Sequence, residues 1–242
     1  MKRPVLFLDD GGVLNDNEVR GAQWMRLVAD FFMPRLGGSP EAWAEANRQV
    51  ITSILAPREW EARLRAATNY ESFERAYYID WLAQSCALVG VPRPSDEESI
   101  AMGREVSAWI IPQIRSAYPG AVEAIRLLHD RGYTLHTASG ASSTDLGLYL
   151  EGMGVLDCFG HLYGPDLVGV FKVGPEFYER IFADAGVAPG DALVVDDSLR
   201  VLEWARAAGA RVLLTGSRQA SQDGAAVETI AGLSELRAHL EP

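Results

Sequence analysis

Val5-Leu6-Phe7-Leu8-Asp9-Asp10-Gly11-Gly12-Val13-Leu14 opens the chain with a short apolar run that ends in two carboxylates and two glycines. An uninterrupted run of large apolar residues reads as a stiff, buried strand, the kind a parallel sheet covered by helices contains. The residue leaving its end is held in place while staying open to solvent. Glycine there lets the backbone turn tightly and approach a ligand or metal closely. Asp9 so placed suits a covalent nucleophile, a metal ligand, or both. The same residues also suit an ordinary Asp-Gly turn. What favours chemistry is that the construction recurs three more times downstream.

Those recurrences lie beyond Tyr118-Pro119-Gly120, where helices and strands alternate. A helix over Ala121–Asp130 stops at Gly132, and a strand Tyr133–Ala138 ends at Ser139-Gly140. A helix over about Thr144–Glu151 leads to a weak strand near His161–Tyr163. Pro175 opens a helix that ends near Gly186. Ala192–Val195 is a strand ending at Asp196-Asp197-Ser198, its helix closes at Gly209, and Arg211–Leu214 reads as the last strand. Ser217–Gly224 reads as a loop and Leu233–Leu240 as a short terminal helix. Such β-α alternation implies a doubly wound, Rossmann-like parallel sheet. In sheets of this class ligands bind outside the carboxyl ends of the strands, so Asp9, Ser139 and Asp196-Asp197 should meet in one crevice.

Between the first strand and this alternation the pattern is helical. Ser39-Pro40 is an N-cap followed by proline at the first helical position, and Trp43, Ala46, Val50 and Ile54 then recur at helical spacing. Ser95 and Glu98 form a capping box, Gly90-Val91-Pro92 closes the helix before it, and Pro112 kinks or ends the helix after it. Residues 16–116 therefore read as an all-helical insertion, with residues 1–15 and 117–242 forming the α/β core.

The 242 residues carry a net charge of −11, which disfavours nucleic acid or an anionic membrane as the main partner. An anionic small molecule remains compatible if a local cation neutralises it. Cys86 and Cys158 are too few for a disulfide framework and read as buried free thiols. The N-terminal apolar run is too short for a signal peptide, nothing reaches membrane-spanning length, and a cytoplasmic location is the expectation.

Three carboxylates in one crevice repel unless a cation or shared protons compensate. A hard divalent ion such as Mg²⁺ takes such oxygen ligands, although Asp196-Asp197-Ser198 also suits helix N-capping. Ser139 and the amides after it can donate to an anion; a Ser-Gly turn is the plainer reading. Lys172 is a sharper signal. The chain has 20 arginines and 2 lysines, yet one lysine stands in Val170-Phe171-Lys172-Val173-Gly174-Pro175, just ahead of a helix. Its compact ammonium suits neutralising a carboxylate nucleophile and a phosphate together.

Taken in order, these four segments resemble the haloacid dehalogenase-like hydrolase superfamily. Asp9-Asp10-Gly11-Gly12-Val13 is similar to its first motif, Ser139 after the strand to its second, Lys172 before Pro175-Glu176-Phe177-Tyr178 to its third, and Asp196-Asp197 to its fourth. The resemblance implies that Asp9 is the nucleophile of a Mg²⁺-dependent phosphatase. Ser139, Gly140 and Lys172 would hold the transferring phosphoryl. Asp9, the Gly11 carbonyl and Asp197 would be metal ligands, with Asp196 beside them, and the helical insertion would be a cap. The implied substrate is a small phosphorylated metabolite, and the oligomeric state is open.

Gly11 departs from the pattern, because phosphatases of this superfamily usually carry a second aspartate there as general acid and base. Such a group typically contributes about 10²–10⁴ in rate. Asp10 cannot substitute, since successive strand side chains point to opposite faces. Substrates with good leaving groups, a proton from Asp16 or the cap, or residual activity are the alternatives that follow. Val201 also departs, standing where related acidic motifs often have Asp or Asn. A 2-haloacid dehalogenase would share the nucleophile, serine and lysine but generally lacks the acidic pair. Phosphonate cleavage requires a cap lysine that residues 16–116 do not contain. A phosphoacceptor signalling domain would present these residues in another order. A non-catalytic binding protein on this fold is the reading that Gly11 leaves open.

Overall fold

A computed structural model describes residues 3–216 and 227–240. The chain divides into two compact units, one running to Asn17 and again from Arg115 onward, the other Glu18–Ile114.

The first unit is built on six parallel strands: β1 (Val5–Leu8), β2 (Leu135–Ala138), β3 (Phe159–Tyr163), β4 (Ala192–Asp196), β5 (Arg211–Thr215) and β6 (Thr229–Ile230). Their order is β3-β2-β1-β4-β5-β6, which makes the β1/β4 boundary the point where the winding reverses. Alternation along each strand sends side chains to two separate cores. Leu6, Leu8, Leu135, Leu193, Val195 and Leu213 pack on one face, with Ile125, Leu128, Leu233 and Leu236 from helices Ala121–Asp130 and Leu233–Leu240. Phe7, Val194 and Leu214 pack on the other, with Phe177, Tyr178 and Ile181 of helix Pro175–Asp184 and Leu202 and Ala205 of helix Leu199–Ala207. Burial on both faces is what an α/β doubly wound sheet requires.

One detail differs from the sequence reading, and another adds to it. Arg211–Leu214 is not the last strand, because β6 adds a parallel edge beyond it, tied by Leu214 N–H to the Glu228 carbonyl at 2.9 Å and by Gly216 N–H to the Ile230 carbonyl at 3.1 Å. Two residues carry no readable periodicity; the neighbouring ladder creates this strand. The segment read as the loop Ser217–Gly224 lies outside the described residues. The β2–β3 pairing also slips in register between Leu135 and Thr137. There His136, buried in β2, accepts the His161 N–H on Nδ1 at 2.9 Å, so an imidazole completes the ladder.

The second unit consists, among its described residues, of helices and turns. The helices are α1 (Asn17–Leu36, which begins at the last residue of the first unit), α2 (Pro40–Ile54), α3 (Pro57–Ala66), α4 (Tyr70–Val89) and α5 (Asp96–Ile110). The Ser39 side chain caps α2 by accepting the Ala42 N–H at 3.2 Å. Ser95 and Glu98 form the reciprocal box at α5, and Gly90 ends α4 at φ 80°. Pro112 lies in the turn of 3₁₀ helix that ends α5. Trp43 is 1% exposed and stacks on Phe32 at 4.9 Å between ring centroids. Trp81 meets the same Phe32 edge-on at 5.6 Å and donates its indole N–H to Asn47 Oδ1 at 3.0 Å. The sequence pattern did not show α3, which buries no residue and so carries no apolar stripe to read.

Candidate functional site

Asp9 leaves the carboxyl end of β1 with its N–H donating to the Val195 carbonyl of β4 at 3.0 Å. The loop after it is fixed by Asp10. That carboxylate is 1% exposed and accepts the Asn15 amide at 2.7 Å, while Ser116 Oγ donates to Asn15 Oδ1 at 2.8 Å. Asp10 thus anchors the loop rather than facing the crevice, which is the consequence of strand alternation. Gly12 stands at φ 85°, and a β-carbon there would lie 2.0 Å from Asp197 Oδ2. Both facts demand glycine.

Lys172 arrives from the segment before helix Pro175–Asp184. Its Nζ lies 3.0 Å from Asp9 Oδ1 and 2.7 Å from Asp196 Oδ2, with the lysine side chain 8% exposed. A solvated surface lysine is thereby excluded. Burial by itself disfavours the ammonium, but Asp9, Tyr178 and Asp196 outweigh it and hold Lys172 well above the ordinary lysine value. Burial pushes the Asp196 carboxyl up to about 6, with Lys172 pulling the other way and Asp9 adding to the rise. Asp196 also accepts the Ser198 N–H on Oδ1 at 2.9 Å, which organises the start of helix Leu199–Ala207. Asp197 is exposed, and burial of its carboxyl together with the Asp9 charge raises its pKa.

One carboxylate oxygen from each of Asp9, Asp196 and Asp197 lies within 4.8 Å of the other two. Three carboxylates face one ammonium, and burial, with the Asp9 charge adding to it, makes both Asp196 and Asp197 hold protons more tightly than usual. An all-oxygen set with uncompensated negative charge fits a hard divalent cation.

Ser139 and Gly140 follow β2, the neighbour of β1, and so reach the same sheet rim. Ser139 is 5% exposed and its Oγ accepts the Ala141 N–H at 3.3 Å. Among the described residues no hydrogen bond or ion pair ties Ser139 or Gly140 to the four charged groups. A β-carbon at Gly140 would meet nothing within 4 Å, so its backbone borders open space. The crevice therefore gathers Asp9, Lys172, Asp196 and Asp197 directly, and Ser139 and Gly140 by strand adjacency.

Tyr178 was visible in the sequence only as part of Pro-x-x-Tyr. Its hydroxyl is buried without a hydrogen-bond partner among the described residues. Burial raises the phenol, while the Lys172 ammonium draws it back. In the helical unit the Arg75 guanidinium pairs with Glu97 at 2.7 Å.

Residues 37–209 match the model of the haloacid dehalogenase-like hydrolase family. A phosphoglycolate phosphatase of Rhodospirillum rubrum is 26% identical over 139 residues, which cover 55% of this chain and 58% of that protein. The chain thus spans a little over half the length of that relative. The fold is similar to YfnB of Bacillus subtilis bound to magnesium, with a TM-score of 0.69, 15% identity and 100% of each chain covered. It is also similar to an L-2-haloacid dehalogenase of Xanthobacter autotrophicus with chloropropionic acid covalently bound, with a TM-score of 0.62, 18% identity and 98% of each chain covered.

Proposed function

The chain belongs to the haloacid dehalogenase-like hydrolase family, and from that premise we propose that it hydrolyses a small phosphomonoester through an aspartyl-phosphate at Asp9. The observation that carries this reading is the acidic cluster, three carboxylates within 4.8 Å around the Lys172 ammonium. Attack on a neutral carbon needs no such cluster, whereas a phosphoryl group brings negative charge that a cation must offset.

In this reading the Asp9 carboxylate attacks phosphorus from a fixed position at the end of β1. Lys172 orients Asp9 and faces the phosphoryl oxygens with its remaining N–H. The Ser139 hydroxyl and the Gly140 amide donate to a second phosphoryl oxygen. Water then cleaves the acyl phosphate and regenerates Asp9. Asp9, the Gly11 carbonyl and Asp197 would hold Mg²⁺, with Asp196 beside them, and the ion would supply charge neutralisation when bound. The core would comprise residues 1–15 and 117–242, and residues 16–116 would form the cap that selects the substrate and excludes water. The partner is a small phosphorylated metabolite; the distant likeness to a phosphoglycolate phosphatase supports that class.

A dehalogenase reading has one specific observation in its favour. Gly11 supplies no acid, and a halide leaves without a proton. Phosphate and halide release, each measured with Mg²⁺ and with EDTA, separate the two. Phosphate release that needs Mg²⁺ and falls by about 10⁴-fold or more in Asp9→Asn supports the proposal, by analogy with removal of other nucleophiles. Halide release indifferent to EDTA would overturn it. No turnover of either substrate class would favour a binding protein.

A further inference from the structure

Position 11 has no side chain, but the space a side chain would fill is occupied. A β-carbon built there would lie 2.7 Å from Asn17 Oδ1 and 3.0 Å from Asn17 Nδ2. Gly11 is not among the glycines with positive φ, so its backbone accepts a side chain, and it is the Asn17 amide that stands in the space such a side chain would enter. Asn17 is exposed at the first residue of α1, and no hydrogen bond engages its amide among the described residues.

We propose that Asn17 is a positioning residue that stands where a side chain at position 11 would otherwise reach, and that it restricts the enzyme to phosphate esters whose leaving group departs as a stable anion. The proposal rests on the phosphatase reading of Asp9. A carboxamide donates and accepts hydrogen bonds but exchanges no proton near neutral pH. As Asp9 Oδ bonds to phosphorus, the bond from phosphorus to the leaving oxygen breaks and that oxygen keeps the electron pair. The Asn17 N–H holds the resulting anion, which takes its proton from solvent. Water oxygen then bonds to phosphorus, the aspartyl oxygen–phosphorus bond breaks with its pair returning to Asp9, and the water proton passes to solvent. Phenolate and enolate leaving groups tolerate this route, and simple alkoxides do not.

The test compares 4-nitrophenyl phosphate with glycerol phosphate, both with Mg²⁺, in wild type, Asn17→Asp, Gly11→Asp and Asp9→Asn. The wild type should favour the aryl ester by roughly 10²-fold or more in kcat/KM, the scale of a missing general acid. Asn17→Asp should narrow that preference at least about tenfold, through kcat rather than KM. The change is near-isosteric and places an anion at a helix N-terminus, so folding should be retained. A purely capping role for Asn17 predicts no change in the ratio, because Asp and Asn cap equally well. Equal turnover of both esters by the wild type, or an unchanged ratio in Asn17→Asp, would overturn the proposal. Turnover that survives Asp9→Asn, or silence of wild type, Asn17→Asp and Gly11→Asp alike, would instead overturn the phosphatase reading beneath it.

Discussion

The two units of this chain treat charge in opposite ways. In the helical unit, most ion pairs lie at the surface: Arg48 with Glu45 at 2.5 Å, Arg104 with Glu74 at 2.6 Å and Arg75 with Glu97 at 2.7 Å have arginine side chains 40% exposed or more. Arg63, 16% exposed, pairs with the half-exposed side chains of Glu59 and Asp80. Its interior belongs to aromatic rings. In the α/β unit, Lys172 and Asp196 are 8% and 1% exposed and hold each other at 2.7 Å. Surface pairs add little to folding, with a median of about 0–1 kcal/mol. A buried pair costs desolvation that its attraction offsets only with good geometry, and apolar replacements often do as well. Charge retained under that cost points to chemistry, and Lys172 with Asp196 lies in the first unit.

That contrast can be broken most readily at Lys172. Lys172→Met leaves Asp9 and Asp196 without their ammonium and should destabilise the metal-free protein by about 3 kcal/mol or more, read by denaturant unfolding at pH 7 in EDTA. Trp43→Ala should cost a similar amount, about 3–5 kcal/mol, for an unrelated reason: it empties the stack against Phe32. Phosphate turnover in folded protein separates the two, because the first change should abolish it and the second should not.

Acid sharpens the contrast further. Burial, with His161 adding to it, lowers His136 from its ordinary 6.5 to about 4. The folded state binds that proton less readily than the unfolded chain, so stability is complete above pH 6.5 and is lost as pH falls toward 4. The loss amounts to roughly 2–3 kcal/mol. His136→Gln, which keeps an acceptor for the His161 N–H, should flatten the pH dependence of unfolding over that window. The smallest effect belongs to the surface: Arg75→Ala should shift unfolding by under about 0.5 kcal/mol. A larger shift would mean that the exposed pairs of the helical unit matter more than their setting implies.

How far each feature was legible in the sequence follows from where its cause lies. Strands β1 and β4 announced themselves because burial on both faces demands unbroken apolar runs, with Asp9 and Asp196 at their ends. Strand β2, Leu135-His136-Thr137-Ala138, was instead read from the helix and Gly132 before it and Ser139-Gly140 after it. The caps at Ser39 and Ser95 are local chemistry and read directly. Lys172 stood out against a chain that otherwise avoids lysine. What depends on distant parts of the chain did not show. β6 exists only because β5 offers a ladder, and the His136 ring completes a slip in register that no single strand encodes. Tyr178 looked like any core aromatic. Asn17 carried no signal at all, since its meaning comes from an absent side chain six residues earlier.

Gly12 and Asp197 stand 185 positions apart, yet a single methyl at one would intrude on the oxygen of the other. Drift at residue 12 is thus closed unless residue 197 retreats, and its retreat would dismantle the acidic triad. The opening segment of this chain and its late acidic pair are bound to a common inheritance, and neither can be transplanted into another scaffold without the other.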